Sequence, residues 1–293
     1  MWPTTSRSGA NVPKVSRTAF ELEPRPGEVL RGDLWVPPTP SFDSPNRAIV
    51  VCHGFKGFKD WGFFPHVGRH LAEQLGCLTV TFNFTGSGVG ADLENFTEPE
   101  AFARNTFSKE LADLSAVLVG LEVGELGEAA HVPVARIGVL GHSRGGVAAI
   151  LSGELPAVRA VVTWAAIAGV ERYASMFDER PQGGPVLVKN ARTGDVLPLY
   201  RDVVEDIFSH PERFDLEASL RRSEVPMLVI HGTADTSVPP GDGRRLAAAC
   251  NHARLALIEG AGHTFEVGHP FEGPSPELEH ALGLTVRHFE THL

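Results

Sequence analysis

The sequence predicts an α/β architecture: a mostly parallel central sheet flanked by helices, carrying one cap insertion. Three observations predict it. Short apolar runs recur along the chain, segments with helical spacing lie between them, and the alternation stops once, over residues 171–224.

Residues 15–22 (VSRTAFEL) and 28–36 (EVLRGDLWV) partly alternate apolar with polar side chains around Pro24 to Gly27. An antiparallel hairpin with one solvated face is written this way. From Ala48 the pattern changes to nearly continuous apolar runs at 48–52, 78–82, 137–140, 160–164, 227–230 and 255–258, as in strands buried on both faces. Helical spacing occupies 64–75, 102–121, 147–153, 243–250 and 276–292. Alternating strands and helices require a parallel sheet covered on both sides, so the functional loops follow the carboxyl ends of the strands. Residues 1–170 and 225–293 are assigned to this catalytic unit. Residues 171–224 mix aromatics, prolines and charges without a strand-like core, and are expected to form a cap or lid.

Composition narrows the partners. With 26 basic and 36 acidic residues the formal net charge is −10, which repels nucleic-acid backbones and anionic membrane surfaces. The three cysteines, Cys52, Cys77 and Cys250, are too few and too widely spaced for a disulfide framework or a zinc site, and each sits in or beside an apolar run as a core residue does. The amino-terminal stretch lacks the apolar core of a secretory signal, and no run is long enough to span a membrane. A cytoplasmic protein is therefore expected, with no metal, a small-molecule ester as its partner and a homodimer left open.

The chemistry centres on Gly141-His142-Ser143-Arg144-Gly145, a G-x-S-x-G motif directly after one apolar run and directly before a helical segment. The chain must turn so sharply there that the serine is strained and exposed, above a helix N-terminus. A serine hydroxyl needs a base, and the base needs a carboxylate to fix its tautomer. In this strand–turn–helix arrangement the acid follows the serine and the histidine follows the acid. Asp235 ends the stretch that leaves the 227–230 run, and His263 does the same after 255–258. His269 is the alternative base; Asp195 and Asp206 fall in the insertion, Asp242 reads as a helix-cap residue, and His231 as structural. The oxyanion donors are expected to be the main-chain amides of Arg144 and of Phe55, which follows His53-Gly54. Their side chains stay unassigned. Phe55, His142, Tyr173, Phe177 and Tyr200 are expected to line the substrate pocket, with Met176, Leu197 and Phe208 closing it.

His53-Gly54, Asn83-Phe84-Thr85-Gly86-Ser87-Gly88, Gly141 to Gly146, His231 to Asp235 and Gly262-His263 resemble the motifs of α/β-hydrolases over about residues 28–292. Within them the chain looks closest to bacterial feruloyl and cinnamoyl esterases, with dienelactone-hydrolase-like enzymes and the catalytic domains of acylaminoacyl peptidases as near relatives. The resemblance implies the same Ser143–His263–Asp235 triad, an acyl-enzyme intermediate and no cofactor. The expected function is hydrolysis of small to medium acyl or aryl, feruloyl-like, esters. The runner-up is a serine peptidase, although such peptidases commonly add a propeller domain; a non-catalytic binding protein on the same fold is the third possibility.

Overall fold

Eight strands form one sheet in the order β1-β2-β4-β3-β5-β6-β9-β10. The computed structural model describes residues 14–38, 46–178, 184–190 and 194–293. β1 (Ser16–Arg25) and β2 (Glu28–Val36) make the antiparallel hairpin that the alternating sequence predicts, and β2 then pairs antiparallel with β4 (Leu78–Asn83). The remaining neighbours are parallel: β4, β3 (Arg47–Cys52), β5 (Arg136–His142), β6 (Val158–Trp164), β9 (Met227–Gly232) and β10 (Ala253–Ile258).

The apolar runs divide between two cores because successive side chains of a strand point to opposite faces. Ala48, Val50 and Cys52 of β3 pack on one side with Met227 and Val229 of β9. Ile49 and Val51 pack on the other with Leu228 and Ile230. The first core is covered by α3 (Phe107–Val123), α4 (Gly145–Ser152) and α8 (Pro240–Ala249), the second by α1 (Phe64–Leu75) and α9 (Pro276–His292). Cys52, Cys77 and Cys250 are buried free thiols. Among the described residues no helix is long and apolar enough to cross a membrane.

Four expectations need correction. The 255–258 run is not buried on both faces: β10 is the last strand of the sheet, and Arg254 and Leu255 are exposed on its open side. The 102–121 segment is two helices, α2 (Pro99–Ala103) and α3, because Thr106 is extended and its hydroxyl accepts from the Lys109 amide as an N-cap. Helix α8 begins at Pro240 rather than Gly243, with proline at its first position. Asp242, in its first turn, accepts from the Ala168 amide at 3.0 Å instead of capping the helix.

Residues 171–224 lie between β6 and β9 and do contain strands. They hold α5 (Glu171–Ser175), a hairpin of β7 (Val186–Lys189) and β8 (Val196–Leu199), α6 (Asp202–Ser209) and α7 (Leu216–Arg222). Four-residue strands broken by Pro198 leave no apolar run to recognise. Tyr173, Phe177, Leu199, Val203 and Phe214 from this segment join the first core, so its described residues pack on the sheet domain without a separate core of their own.

Candidate active site

The parallel sheet delivers the loops after β3, β5, β9 and β10 to one edge. Between β5 and α4 only two residues make the turn, and Ser143 takes φ 55°. Small neighbours make that turn possible. A Cβ on Gly141 would stand 2.4 Å from the Gly145 carbonyl oxygen, and one on Gly145 would stand 2.4 Å from that of His53. The Ser143 amide donates to the Trp164 carbonyl at 2.8 Å, tying the turn to the end of β6.

His263 joins the other two predicted residues. Its Nδ1 lies 2.8 Å from Asp235 Oδ2 and its Nε2 lies 3.1 Å from Ser143 Oγ. An ionised carboxylate can only accept, so Nδ1 carries the proton, and Nε2 is left to accept from the serine hydroxyl. Asp235 is itself held: its Oδ1 accepts from the amides of Ser237 (2.8 Å) and Val238 (2.9 Å). Burial pushes the Asp235 carboxyl up. Hydrogen bonds from His231 and His263, the charge of His263 and the Val238 amide outweigh that, and hold it well below the usual carboxylate range.

Of the other histidines and carboxylates named from sequence, His231 lies against Asp235, its Nε2 3.5 Å from Oδ2, and the rest fall elsewhere. His231 is fully buried and its Nε2 donates to the Val238 carbonyl at 2.9 Å. His269 is not placed at the serine: its Nδ1 accepts from the Gly62 amide at 3.0 Å, and its ring stacks on Trp61. Asp206 is turned away, accepting from the Ser108 amide and hydroxyl at the start of α3. Asp195 lies just before β8 and is absent from the cavity wall.

A cavity of about 360 Å³ opens over Ser143. Phe55, His142, Tyr173 and Met176 line it as expected, joined by Phe64, Ile167 and Val188. Phe177 and Tyr200 do not. Phe177 is 2% exposed within the first core, and Tyr200 faces α2, its hydroxyl donating to Glu100 at 3.1 Å beneath the Arg104 guanidinium. Phe208 projects into solvent, 70% exposed. Segment 171–224 thus reaches the cavity through Tyr173 and Met176, both expected, and through Val188, which was not.

Three positions carry more than sequence reasoning assigned. His142 Nε2 donates to the His263 carbonyl at 2.9 Å, so the residue before the serine fixes the loop that bears the histidine. His53 donates from Nδ1 to the Gly54 carbonyl at 2.9 Å and accepts at Nε2 from the Phe84 amide at 3.2 Å, joining the loops after β3 and β4. Burial pushes its imidazole down to about 4, with Arg144 acting in the same direction against the Gly54 bond. Arg144 is 1% exposed, with its guanidinium 4.0 Å over the Phe107 ring and 4.5 Å over that of Tyr173. Its Nε donates at 2.7 Å to Glu110, which Asn105 also bonds at 2.7 Å; burial drives the Glu110 carboxyl upward even so. No sequence signal announces this pair, because Glu110 sits 34 residues from Arg144 on what reads as an ordinary helix face. Among the described residues no group of three or more His, Cys, Asp or Glu is arranged to hold a metal ion.

The family model for the alpha/beta hydrolase family matches residues 49–277. Two solved structures share the architecture over nearly their whole length. Est1E from Butyrivibrio proteoclasticus, also solved with ferulic acid bound, is 18% identical with a TM-score of 0.68, covering 94% of this chain and 97% of that one. The esterase domain of a Rhodothermus marinus protein is 22% identical with a TM-score of 0.63, covering 95% and 99%. RutD of Pseudomonas savastanoi pv. phaseolicola, a protein named for carbamate hydrolysis, is 41% identical over 59 residues, which span 20% of this chain and 23% of that relative.

Proposed function

Because the chain belongs to the alpha/beta hydrolase family, we propose that it is a serine hydrolase cleaving carboxylic esters through an acyl-enzyme intermediate. The observation that carries this reading is the unbroken line of hydrogen bonds from Ser143 Oγ through His263 to Asp235, at 3.1 and 2.8 Å. Ser143 attacks the ester carbonyl as His263 takes its proton, and His263 returns that proton to the departing alkoxide. Water then repeats the sequence on the acyl-enzyme. Asp235 holds the imidazole tautomer and stabilises its charged form. The amides of Phe55 and Arg144 receive the oxyanion; among the described residues neither donates to another backbone acceptor. Segment 171–224 acts as the cap, since Tyr173, Met176 and Val188 close the cavity from that side. The apolar side chains of the wall, among them Phe55, Phe64, Ile167 and Met176, suit small to medium acyl or aryl esters, and the likeness of fold to a protein solved with ferulic acid keeps feruloyl-like esters in that class.

Ser143→Ala tests the reading. Turnover of a chromogenic short-chain ester should fall by roughly four to six powers of ten with the fold intact, and a phosphonate probe should label Ser143 in the unsubstituted protein. Near-normal turnover in the variant, or labelling of another serine, removes the assignment; a fold that neither turns over nor reacts is a binding protein. The short match to RutD favours one second reading, attack by the same serine on a carbamate. A carbamate offered beside its matched ester ranks the two.

A further inference from the structure

Arg144 follows Ser143, and the chemistry proposed above uses only its main-chain amide. Its side chain is nevertheless 1% exposed, and a guanidinium taken out of water is costly unless charge and hydrogen bonds compensate it. One carboxylate and three aromatic rings surround it. Nε donates to Glu110 Oε1 at 2.7 Å, and Asn105, just ahead of α3, donates to the same oxygen at 2.7 Å. The guanidinium carbon lies 4.0 Å from the ring centre of Phe107, 4.5 Å from that of Tyr173 and 5.5 Å from that of Phe55, all within reach of cation–π attraction. The rings also meet one another. Tyr173 stands edge-on to Phe107 at 5.3 Å and to Phe55 at 5.5 Å, and Phe55 stacks on Phe102 of α2 at 5.2 Å.

Phe55 is the other residue assigned an oxyanion amide, so the side chains of the two donor residues meet although their loops leave different strands, β3 and β5. The two loops are anchored unequally. At Arg144 the turn itself sets the backbone: the Ser143 amide is bound to Trp164, and the Val147 amide donates to the Arg144 carbonyl at 3.0 Å as α4 opens. Phe55 instead lies inside a tight turn closed by the Gly57 amide on the Gly54 carbonyl at 3.0 Å, with Lys56 at φ 59°. His53 holds the base of that turn, and the Phe55 ring holds its tip. An oxyanion hole acts only when both amides stand about 2.7–3.1 Å from the position the developing oxygen will occupy. Their spacing is therefore set by the contact between these loops. Phe55 and Tyr173 line the cavity, whereas Arg144 is absent from its wall and stands behind them.

We propose that the Arg144 side chain is a positioning residue: fixed by Glu110 and Phe107 of α3, it holds the Phe55 ring and so keeps the two oxyanion amides at the spacing a tetrahedral adduct of Ser143 requires. The same guanidinium bears on Tyr173, which carries the cap side of the cavity. The inference rests on the ester-hydrolase reading above. A planar guanidinium can face aromatic rings while its edge meets a carboxylate, and a lysine ammonium has no such face.

Arg144→Met and Arg144→Lys test this in the full chain, with folding checked by thermal denaturation. On a short-chain ester kcat should fall about tenfold to hundredfold in both, with KM changed by less than about threefold, because a misplaced donor is felt in the transition state rather than in the ground state. A pair of inhibitors gives the specific readout: a trifluoromethyl ketone, which Ser143 converts to a tetrahedral oxyanion adduct, and the matching methyl ketone, which binds as a substrate-like carbonyl. The first should lose affinity by about the same factor as kcat, and the second should keep its own within about threefold. Phe55→Leu retains the amide but removes the ring, and should move the ratio of the two affinities in the same direction. Because both side chains act through one donor, the double variant should cost no more than about twofold beyond the larger single effect. A folded Arg144→Met protein with kcat within about twofold of the unsubstituted one, or with equal loss of affinity for both ketones, overturns the proposal; the guanidinium then only packs the cap against α3. If Arg144→Met fails to fold, Phe55→Leu decides by the same ratio, and an unmoved ratio overturns the proposal. Esters cleaved and Ser143 labelled with the ketone ratio unmoved in the variants leave the esterase reading standing, while no ester turnover and no labelling in the unsubstituted protein remove both.

Discussion

The loops after β5, β9 and β10 and the segment 171–224 face the same cavity, but they are held by different means. The loops are fixed through their backbones. Ser143 sits in a turn that packing of Gly141 and Gly145 leaves no room to relax, Asp235 is bound by two amides, and the Ala234 amide donates to the Ala261 carbonyl at 3.0 Å, fastening the acid loop to the histidine loop. The segment is held mainly by side chains, beside one backbone bond from the Tyr200 amide to the Ala103 carbonyl of α2 at 2.9 Å. Its helices have five to eight residues and its strands four, and it leaves Leu187, Val196 and Phe208 in solvent while Tyr173 and Phe177 anchor it. Backbone fixation suits bond-making groups, where displacement of about 1 Å can cost a hundredfold. Side-chain anchoring suits a surface that sorts substrates.

The largest expected effect breaks the fixed region. Asp235→Asn keeps the shape of the side chain but favours the wrong imidazole tautomer, so kcat on a short-chain ester should fall on the order of ten-thousandfold. Should Asp195→Asn or Asp206→Asn prove the more damaging, the working carboxylate comes from the segment and the division between the two regions is misplaced.

Next comes the joint between them. Glu110→Ala leaves the Arg144 guanidinium buried against Phe107 and Tyr173 without its carboxylate, and urea denaturation should report a loss of roughly 3–5 kcal/mol. A loss under about 1 kcal/mol would mean that the aromatic faces alone hold the guanidinium.

Acid probes a neighbouring loop, the one after β3. His53 is held neutral in the fold down to about pH 4, whereas in the unfolded chain it takes up a proton near its ordinary value of about 6.5. Below that value the unfolded state binds more protons, so the contribution of His53 is complete above about 6.5 and declines toward 4. Between pH 7 and pH 5 that amounts to about 2 kcal/mol of lost stability from this group. Denaturation midpoints at the two pH values measure it, and His53→Gln should flatten the difference.

The smallest effect belongs to the side-chain-anchored region. Met176→Ala should change the ratio of kcat/KM between bulky and acetyl esters by about tenfold, with acetyl turnover moving less, because the thioether lines the cavity and takes no part in the hydrogen bonds that join the triad. An unchanged ratio, or equal loss on both esters, would make the segment structural.

Much of this molecule was decided locally and is therefore legible in the sequence. Runs such as 48–52 and 227–230 are strands because period-two burial on both faces leaves almost no polar position, and α1 and α9 follow their helical spacing over the residues expected. Ser143, Asp235 and His263 could be chosen because parallel strands send every such loop to one edge and the turn at Ser143 demands small neighbours. The structure alone decided what depends on distance in space. It broke the 102–121 helix at Thr106, set β10 at the open edge, turned Phe177 and Tyr200 away from the cavity while bringing Val188 to it, and buried Arg144 against Glu110 from another helix. Periodicity and turn chemistry record the forces between neighbours along the chain; which side chain fills a cavity, or meets a charge 34 residues away, is settled by packing that no local pattern encodes.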